Sequence, residues 1–583
     1  MKKRVWILFL FCFVLNIASV SAVNKIVSNS EDWRDVYSTI QYANFRGIPY
    51  NFLVSQRHPA ILLQSFSPGT ELQIISSSRF PFVIGYENMV ESAGYEAEEL
   101  VFDSANLELA RLLPDIKNFV VIDDSYGYNA ISLAPYGQIS ESYVLFADSE
   151  NIDDVADFLA DRDPDNVMLF GHVDREVKDA LAIYDPEIIN KEGDRFENNL
   201  EIVRKYLEIN PTKQVILTNG EFIEHEIMAG AEPVIFIGST NVPQQVRDFI
   251  HEHGIEVGVL IGNQYVGSAT SIKRQTGMSV FVKFARSARI ATSAVSPVEG
   301  LDLFYLPRVR LSLEIVDVVY NQLTNQLEVT FRNNAELATY FIGTYKLSWG
   351  DGERQTVGDS EAIFIDGDEY RTITYDVGAM YGDITGEIYV IYGESGGSLE
   401  NVIELTLKLN ITEVKDNSDI VIRQVMYDKV RREFIVEVEN VGDVDTYVDL
   451  ELVDIIIAGE KFTFGTDKVV HIKSGEKKNL RIKVDLEEVD FEDNEKIRIV
   501  AWYGERENNL VLRKEDTYVV SYRGVGYLIY SAWPVIVVIL LLIILWFIIF
   551  MRKKVCPSCK HKNPRRRRYC EKCGADLRKS SNH

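Results

Sequence analysis

The stretch FVVIDDSYG (Phe119–Gly127) holds the pattern that decides the fold of the first half of the chain. Its apolar, β-branched run passes directly into acidic and turn-forming residues, which is typical of a buried strand that ends in a polar loop. The pattern recurs in KIVSNSEDW (Lys25–Trp33) and QVILTNGEF (Gln214–Phe222). The turn residues of successive copies are 95 positions apart: Asn29, Asp124 and Asn219. This spacing predicts three copies of one structural unit.

Further features follow each copy in step. A second apolar run follows in each copy, at Ile48–Ser55, Ser142–Ser149 and Glu232–Ser239. Amphipathic helix patterns come next in two copies, at Asn151–Arg162 and Asn241–His253. A third apolar run then ends in glycine, at Gly85, Gly171 and Gly262. Nearly continuous apolar strands that alternate with helices predict parallel sheets covered on both faces. We therefore expect three α/β repeats, 24–100, 101–190 and 191–300, that form one compact α/β head. The connection after the head, Ser296–Leu306, is expected to be the first site of proteolysis.

The repeats resemble the putative cell-wall-binding repeats of prokaryotic surface proteins. The resemblance rests on DRFENNLEIVRKYLE (Asp194–Glu208), on VILTNGEF and EPVIFIGS in the third repeat, and on Leu133–Pro135 in the second. It implies about 95-residue α/β repeats in approximate threefold symmetry, with an envelope ligand. Bacterial relatives bind anionic wall polymers, but this acidic chain would repel such a polymer unless cations bridged the two.

Asn29, Asp124 and Asn219 are candidate ligand-binding residues, because ligands bind at the carboxyl ends of parallel strands. The chain contains no GxSxG, HExxH, GxGxxG or P-loop motif, so an enzyme is not predicted. The acidic loop Asp161–Asn166 lacks the glycine and the closing glutamate of a calcium loop. Whether the acidic exported region binds calcium stays open.

From Val309 onward, short alternating strands and turn signals such as Trp349–Glu353 predict an all-β region. Two copies align at an offset of 107 residues, pairing Tyr320 with Tyr427, Asn333 with Asn440, and Tyr340 with Tyr447. They predict two β-sandwiches, 309–413 and 418–522. The motifs VENVGDVDTYVDL and SGEKKNLRIKV resemble the CARDB family, which implies a spacer or protein-contact module. Asn410 begins the sequon Asn-Ile-Thr and is a candidate glycosylation site.

Two apolar segments predict the topology. Residues 1–22 combine MKKR, an apolar run and a small-residue end at Ala22, as in an export signal; cleavage and retention as an anchor both stay open. Residues 527–551 carry no charge and are long enough to cross a membrane as one helix. Basic residues begin at Arg552, which predicts a single-pass type I protein with 23–526 outside and 552–583 in the cytoplasm.

The tail contains two CxxC motifs ten residues apart. Their cysteines are Cys556, Cys559, Cys570 and Cys573. Thiolates at this spacing predict one structural Zn²⁺ in a small domain, 555–577. The pattern resembles the short zinc ribbons of many prokaryotic proteins, which implies binding to proteins, to nucleic acids or to no known partner. The arginine run Arg565, Arg566, Arg567 and Arg568 is a candidate contact for anionic lipid or nucleic acid, or serves only to set topology.

Charge and cysteine distribution agree with this topology. The chain has a net charge of −26, yet the residues from Arg552 onward include 12 basic and 2 acidic side chains. Four of the five cysteines lie in the tail, so the exported region after residue 22 has no disulfide. We expect a prokaryotic, and more specifically archaeal, surface protein whose head binds an envelope glycan or a surface protein. The alternative is a receptor or assembly factor that couples external binding to a cytoplasmic partner through the ribbon.

Overall fold

The computed structural model describes residues 23–191, 193–283, 302–350, 352–523, 540–545, 553–564 and 566–578. They divide into two compact units, Met1–Asp416 with Arg506–Val511, and Asn417–Glu505 with Leu512–His583. The predicted signal peptide lies outside the described residues, as does the predicted membrane helix except for 540–545, which are helical. Within the described ranges, no helix has the length and apolar content needed to cross a membrane.

The first α/β repeat is a parallel four-stranded sheet in the order β2-β1-β3-β4. Its strands are β1 (Lys25–Asn29), β2 (Tyr50–Phe52), β3 (Glu71–Ser77) and β4 (Glu96–Phe102), and its helices are α1 (Trp33–Phe45), α2 (His58–Gln64) and α3 (Tyr86–Ser92). The stretch FPFVIG before Gly85, which the sequence predicts as the third strand, is a turn instead. Asn29 holds that turn by two hydrogen bonds with the backbone of Val83, and Gly85 has a φ of 68°.

The second and third repeats have the same parallel order, β6-β5-β7-β8 and β11-β9-β12-β13. The second contains α4 (Ala105–Arg111), β5 (Asn118–Ile122), α5 (Tyr128–Ile139), β6 (Ser142–Phe146), α6 (Ile152–Arg162), β7 (Asn166–Phe170), α7 (Arg175–Leu181) and β8 (Glu187–Ile189). The third contains α8 (Arg195–Ile209), β9 (Gln214–Thr218), β10 (Phe222–Ile223), α9 (His225–Met228), β11 (Val234–Phe236), α10 (Gln244–Glu252), β12 (Val257–Ile261), α11 (Ala269–Thr276) and β13 (Ser279–Lys283). The prediction of repeated α/β units is therefore confirmed.

The three repeats share one core. A single buried cluster includes Tyr37 of the first repeat, Ile131 of the second and Phe236 of the third, each with 0–1% of its surface exposed. Burial of this apolar surface stabilises the repeats against one another, at about 25 cal/mol per Å² removed from water.

The segment that follows residues 284–301 enters this core. Strand β14 (Phe304–Tyr305) pairs antiparallel with β10 of the third repeat, and its Phe304 ring packs edge-on against Phe52 of the first. Leu306 lies against Gly127 of the second repeat and is 6% exposed. The sequence predicts an exposed connection up to Leu306, but its last three residues are part of the packed head.

The region after the head is all β and sandwich-like. Two sheets form, β20-β16-β15-β23 and β18-β17-β21-β22, with β19 paired to β17. The strands are β15 (Leu313–Asn321), β16 (Gln326–Asn333), β17 (Thr339–Trp349), β18 (Glu353–Gly358), β19 (Ile363–Ile365), β20 (Tyr370–Asp376), β21 (Thr385–Gly393), β22 (Asn401–Lys408) and β23 (Asn410–Thr412). We call residues 313–412 the first β domain.

A second β domain, residues 420–523, has similar strand pairing, but its last strand pairs on both sides, so that all eight strands form one sheet. Its strands are β24 (Ile420–Asp428), β25 (Glu433–Asn440), β26 (Thr446–Ile457), β27 (Glu460–Gly465), β28 (Val470–Ile472), β29 (Lys477–Lys483), β30 (Lys496–Gly504) and β31 (Leu512–Arg523). The offset of 107 recurs in the structure, because the first strands of both domains are bulged, at Ile315 and Ile422. Buried Asn333 and Asn440 also play one role, since the side-chain amide of each donates to backbone carbonyl oxygens, three for Asn333 and two for Asn440.

The tail folds around a short hairpin. Strand β32 (Lys554–Val555) pairs antiparallel with β33 (Lys562–Asn563), and the first CxxC motif lies in the turn between them. Its small buried cluster holds Cys556, Cys570 and Leu577. With so little apolar surface to bury, a fold of this size depends on further crosslinks.

Candidate functional site

The four tail cysteines converge as their spacing predicts. All four sulfur atoms lie within 4.8 Å of one another. The Sγ atoms of Cys556 and Cys573 are 3.5 Å apart, as are those of Cys559 and Cys570. A tetrahedral ion with bonds of about 2.3 Å to sulfur places its ligands roughly 3.8 Å apart, so the four thiols fit such an ion. Within the described residues, no other group of three or more Cys, His, Asp or Glu side chains could hold a metal ion.

The two CxxC motifs form matching turns. The amide N–H of Lys560 donates to the Cys556 carbonyl at 2.9 Å, and that of Gly574 donates to the Cys570 carbonyl at 2.9 Å. Lys560 and Gly574 both have a positive φ, 57° and 72°, which closes each turn tightly. The turns thus present both sulfurs of each motif toward one point.

The surroundings of the sulfur atoms favour the thiolate form of Cys556 and Cys570. The amide N–H of Cys559 lowers the pKa of the Cys556 thiol. Burial disfavours ionisation of Cys570, but hydrogen bonds from the backbone of Lys572 and the side chain of Asn563 lower its pKa to about 6. A lowered thiol pKa increases the thiolate fraction at neutral pH and hence the readiness to bind a metal. At Cys573 the backbone N–H of Ala575 lowers the pKa of the thiol, but the neighbouring thiols of Cys559 and Cys556 outweigh it and raise that pKa.

The arginine run lies on the surface of the ribbon. Arg566, Arg567 and Arg568 are exposed, and Arg567 forms an ion pair of 2.9 Å with Glu571. Arg565 lies outside the described residues. The exposed guanidinium groups are accessible to an anionic surface or chain.

The three predicted ligand-edge residues have different surroundings. Asn29 is fully buried, and its amide is committed to Ser76 and Val83. The Asp124 carboxylate pairs with Arg34 of the first repeat at 2.5 Å. The pKa of the Arg34 guanidinium group is raised, mainly by its hydrogen bond to Asp32 and to a smaller extent by the one to Asp124. Asn29 thus lies inside the first repeat, whereas Asp124 lines an open cleft beside Arg34.

Asn219, the third of them, lies beside a junction with the first β domain. It lines a pocket of about 420 Å³ together with residues of that domain, among them Glu400. The loop between β21 and β22 packs on the third repeat there: Asn241 donates to the Leu399 carbonyl and Gln245 to that of Gly397, both at 2.8 Å. Much of the carboxyl edge of the third repeat is thus covered by the chain itself.

A buried ion cluster lies at this junction. Arg195 is 2.8 Å from Glu394 and 3.1 Å from Glu400, and all three side chains are largely buried. One guanidinium group faces two carboxyl groups, so the second negative charge is poorly compensated. Burial raises the pKa of Glu400 to about 8, against the opposing effect of Arg195.

Between the first and second repeats an open cleft of about 760 Å³ remains. We call it the acidic cleft, because eight carboxylates and three guanidinium groups line it. The carboxylates belong to Asp32, Asp35, Asp103, Glu108, Asp124, Asp148, Glu150 and Asp154. Phe80, 56% exposed, and Val101, 55% exposed, contribute apolar surface. Its volume lies in the range of small-ligand sites.

The predicted glycosylation site is accessible. Asn410 is exposed at the start of β23, which pairs parallel with β15.

Several buried asparagines with defined roles are missed by the sequence reasoning. Asn106 of α4 and Asn199 of α8 each donate to a strand of their own repeat, at Val144 O and Val234 O, and to a serine of the preceding repeat, Ser38 or Ser132. Asn563 of the ribbon is also fully buried. Asn106 and Asn199 could have been found from their separation of 93 residues, which is close to the repeat length.

Comparisons with known proteins give no family. No family model matches the chain, and no curated protein matches it. Among 260 matching chains of solved structures, red sea bream transglutaminase is 9% identical, covering 45% of this chain and 34% of its own, with a TM-score of 0.12. The periplasmic chaperone SfaE is 12% identical, covering 37% of this chain and 100% of its own, with a TM-score of 0.13. Likeness at this level assigns neither a fold nor a function.

Proposed function

We propose that this chain is a single-pass, membrane-anchored cell-surface protein whose exported α/β head binds an envelope glycan or a surface protein. The predicted signal peptide, membrane helix 527–551 and the basic residues from Arg552 onward support the anchoring and its orientation. A four-cysteine Zn²⁺ ribbon in the cytoplasm completes the proposal. The sulfur geometry supports tetrahedral binding, and a reducing compartment keeps the thiols available.

The acidic cleft is the observation that carries the binding function. It lies between repeats that share a core, and it combines many hydrogen-bonding groups with the exposed ring of Phe80. Carboxylates and guanidinium groups can hydrogen-bond sugar hydroxyls, while an aromatic face packs on the C–H face of a sugar ring. Because carboxylates outnumber guanidinium groups, the proposed ligand is a neutral or cationic glycan rather than an anionic polymer.

Envelope binding by cleft variants tests this proposal. Purified full-length protein in detergent is titrated with glycan and protein fractions of the source cell envelope. Phe80→Ala and Asp154→Asn should each weaken binding about tenfold, equivalent to about 1.4 kcal/mol. Ile183→Ala is the control for Phe80→Ala, because Ile183 is an exposed apolar residue outside the cleft. Asp157→Asn is the control for Asp154→Asn, because Asp157 is an exposed carboxylate on the same helix, α6, but does not line the cleft. Neither control should change the binding affinity. Equal binding by cleft and control variants would refute the cleft as the site.

The exposed arginines of the ribbon favour a second candidate function. Arg566, Arg567 and Arg568 provide a basic surface on a domain proposed to face the cytoplasm. As a receptor or assembly factor, the chain would relay external binding to a cytoplasmic protein, or would hold anionic lipid there. Affinity capture from detergent extracts, with and without residues 555–577, separates the two candidates: a cytoplasmic partner lost on deletion supports the second.

A further inference from the structure

Asn563 is fully buried, whereas most other residues of the ribbon are exposed to solvent. It lies at the end of β33, between the two CxxC motifs. Both the Nδ2 donor and the Oδ1 acceptor of its side-chain amide form hydrogen bonds. The Nδ2 group donates to Cys570 Sγ at 3.4 Å and to the His561 carbonyl at 3.0 Å. The Oδ1 atom accepts from the amide N–H of Glu571 at 2.9 Å.

These contacts connect the two halves of the ribbon. The His561 carbonyl also accepts from the amide N–H of Cys556, at 2.9 Å, and so belongs to the first motif. Glu571 and Cys570 belong to the second. One side chain thus spans both motifs and donates directly to a ligand sulfur.

Groups of this kind affect metal affinity without touching the metal. An N–H group that donates to a thiolate orients the sulfur and stabilises its negative charge. Residues in such contacts typically alter metal affinity by about 10- to 100-fold when they are replaced.

We propose that Asn563 is a positioning residue of the metal centre, which holds Cys570 in place and ties the two CxxC motifs together. The proposal rests on the proposed Zn²⁺ function of the ribbon. Asn563 is not a ligand: its donor group faces the sulfur, and the four thiols already supply a complete tetrahedral set. The side chain acts through Cys570 and through the backbone of both motifs.

The test compares three variants in the full-length protein in detergent. Asn563→Asp keeps the acceptor for Glu571 but removes the N–H donor to sulfur, and Asn563→Ala removes every side-chain contact. Lys562→Ala is the matched control, because this neighbour on the same strand is exposed. Zn²⁺ affinity is measured by competition with a chelator, and the ligand set is read from the charge-transfer and d–d bands of bound Co²⁺.

We expect both Asn563 variants to bind Zn²⁺ about 10- to 100-fold more weakly than the wild type, and Lys562→Ala to remain within about twofold. At saturating Co²⁺ all proteins should show the four-thiolate spectrum. If both Asn563 variants bound Zn²⁺ within twofold of the wild-type affinity, the proposal would be overturned. Complete loss of metal binding would also overturn it, because Asn563 would then be needed only for folding. A wild-type spectrum with fewer than four thiolates would also overturn it. Absence of Zn²⁺ binding by the wild type itself would instead refute the metal function.

Discussion

At the scale of single residues, buried asparagines connect neighbouring α/β repeats. Asn199 on α8 donates to Val234 O and to Ser132 Oγ, and its Oδ1 accepts from the amide N–H of Phe236. Asn106 on α4 has the same arrangement with Val144, Ser38 and Phe146. A side-chain amide that satisfies the backbone of an edge strand fixes how helix and sheet fit together.

The first prediction concerns Asn199→Ala. Removing the amide leaves the N–H of Phe236 and the carbonyl of Val234 without these partners inside the core, which should cost about 1–3 kcal/mol. Urea unfolding followed by tyrosine and tryptophan fluorescence measures the change. Asn210→Ala, at the exposed end of the same helix, should change stability far less. Equal effects of the two substitutions would contradict this role.

The second prediction concerns pH and Glu400. Its carboxyl pKa is about 8 in the folded protein, compared with 4.5 as its ordinary value, so the folded state holds this proton more tightly. The associated stabilisation is complete below pH 4.5 and is lost as pH rises toward and through about 8. Glu400→Gln removes this titration and should reduce the fall in Tm between pH 6 and pH 8.5.

The control for this experiment is Glu404→Gln, which changes an exposed glutamate on β22, the strand that follows Glu400. Its Tm should follow that of the wild type at both pH values. If Glu400→Gln also retained the full decrease in Tm, the poorly compensated charge beside Arg195 would not be the cause.

At the scale of elements, strands whose residues are nearly all buried are predictable from the sequence, whereas short strands that pair with distant parts of the chain are not. The first strands of the repeats are almost wholly apolar and were recognisable from their spacing. The fourth strands were not: β4 carries exposed glutamates and β8 has three residues. Strand β14 was also not predictable, because two residues carry no periodicity and their partner lies about 80 positions away.

The third prediction follows from the burial of that segment. Leu306→Ala should destabilise the head by about 2–5 kcal/mol, since it removes a buried side chain from the shared core. Leu323→Ala, with the same change at a site that is 58% exposed, should cost well under 1 kcal/mol. Denaturant unfolding gives both values. Similar small losses for the two variants would mean that the segment is not part of the folded head.

The fourth prediction concerns the ribbon. Its cysteines were predictable because the spacing of two CxxC motifs is specific, whereas an asparagine between them has no distinctive pattern. Purified full-length protein should contain one Zn²⁺, and Cys570→Ser should lose it because three thiolates with a hydroxyl bind far more weakly. Metal analysis by mass spectrometry reads the stoichiometry. Ser558→Ala, inside the first motif but not a ligand, should retain the ion.

At the scale of the whole molecule, repetition is what the sequence predicts best. The offset of 95 residues produces three parallel sheets of one strand order, and the offset of 107 produces two β domains with matching bulges. The packing of the first β domain on the third repeat could not be predicted, because it depends on the loop 394–400 meeting Arg195 in space. Local patterns do not encode such contacts.

The fifth prediction is that the head and the ribbon lie on opposite sides of a membrane. The envelope ligand and the stability of a four-thiolate zinc site both depend on it, because the first needs export and the second needs a reducing compartment. The measurement is protease treatment of intact cells, followed by detection of one epitope in the head and one after residue 578. We predict loss of the head epitope and retention of the tail epitope on a membrane-bound fragment. Digestion of the tail epitope on intact cells, or protection of both epitopes, would contradict the account.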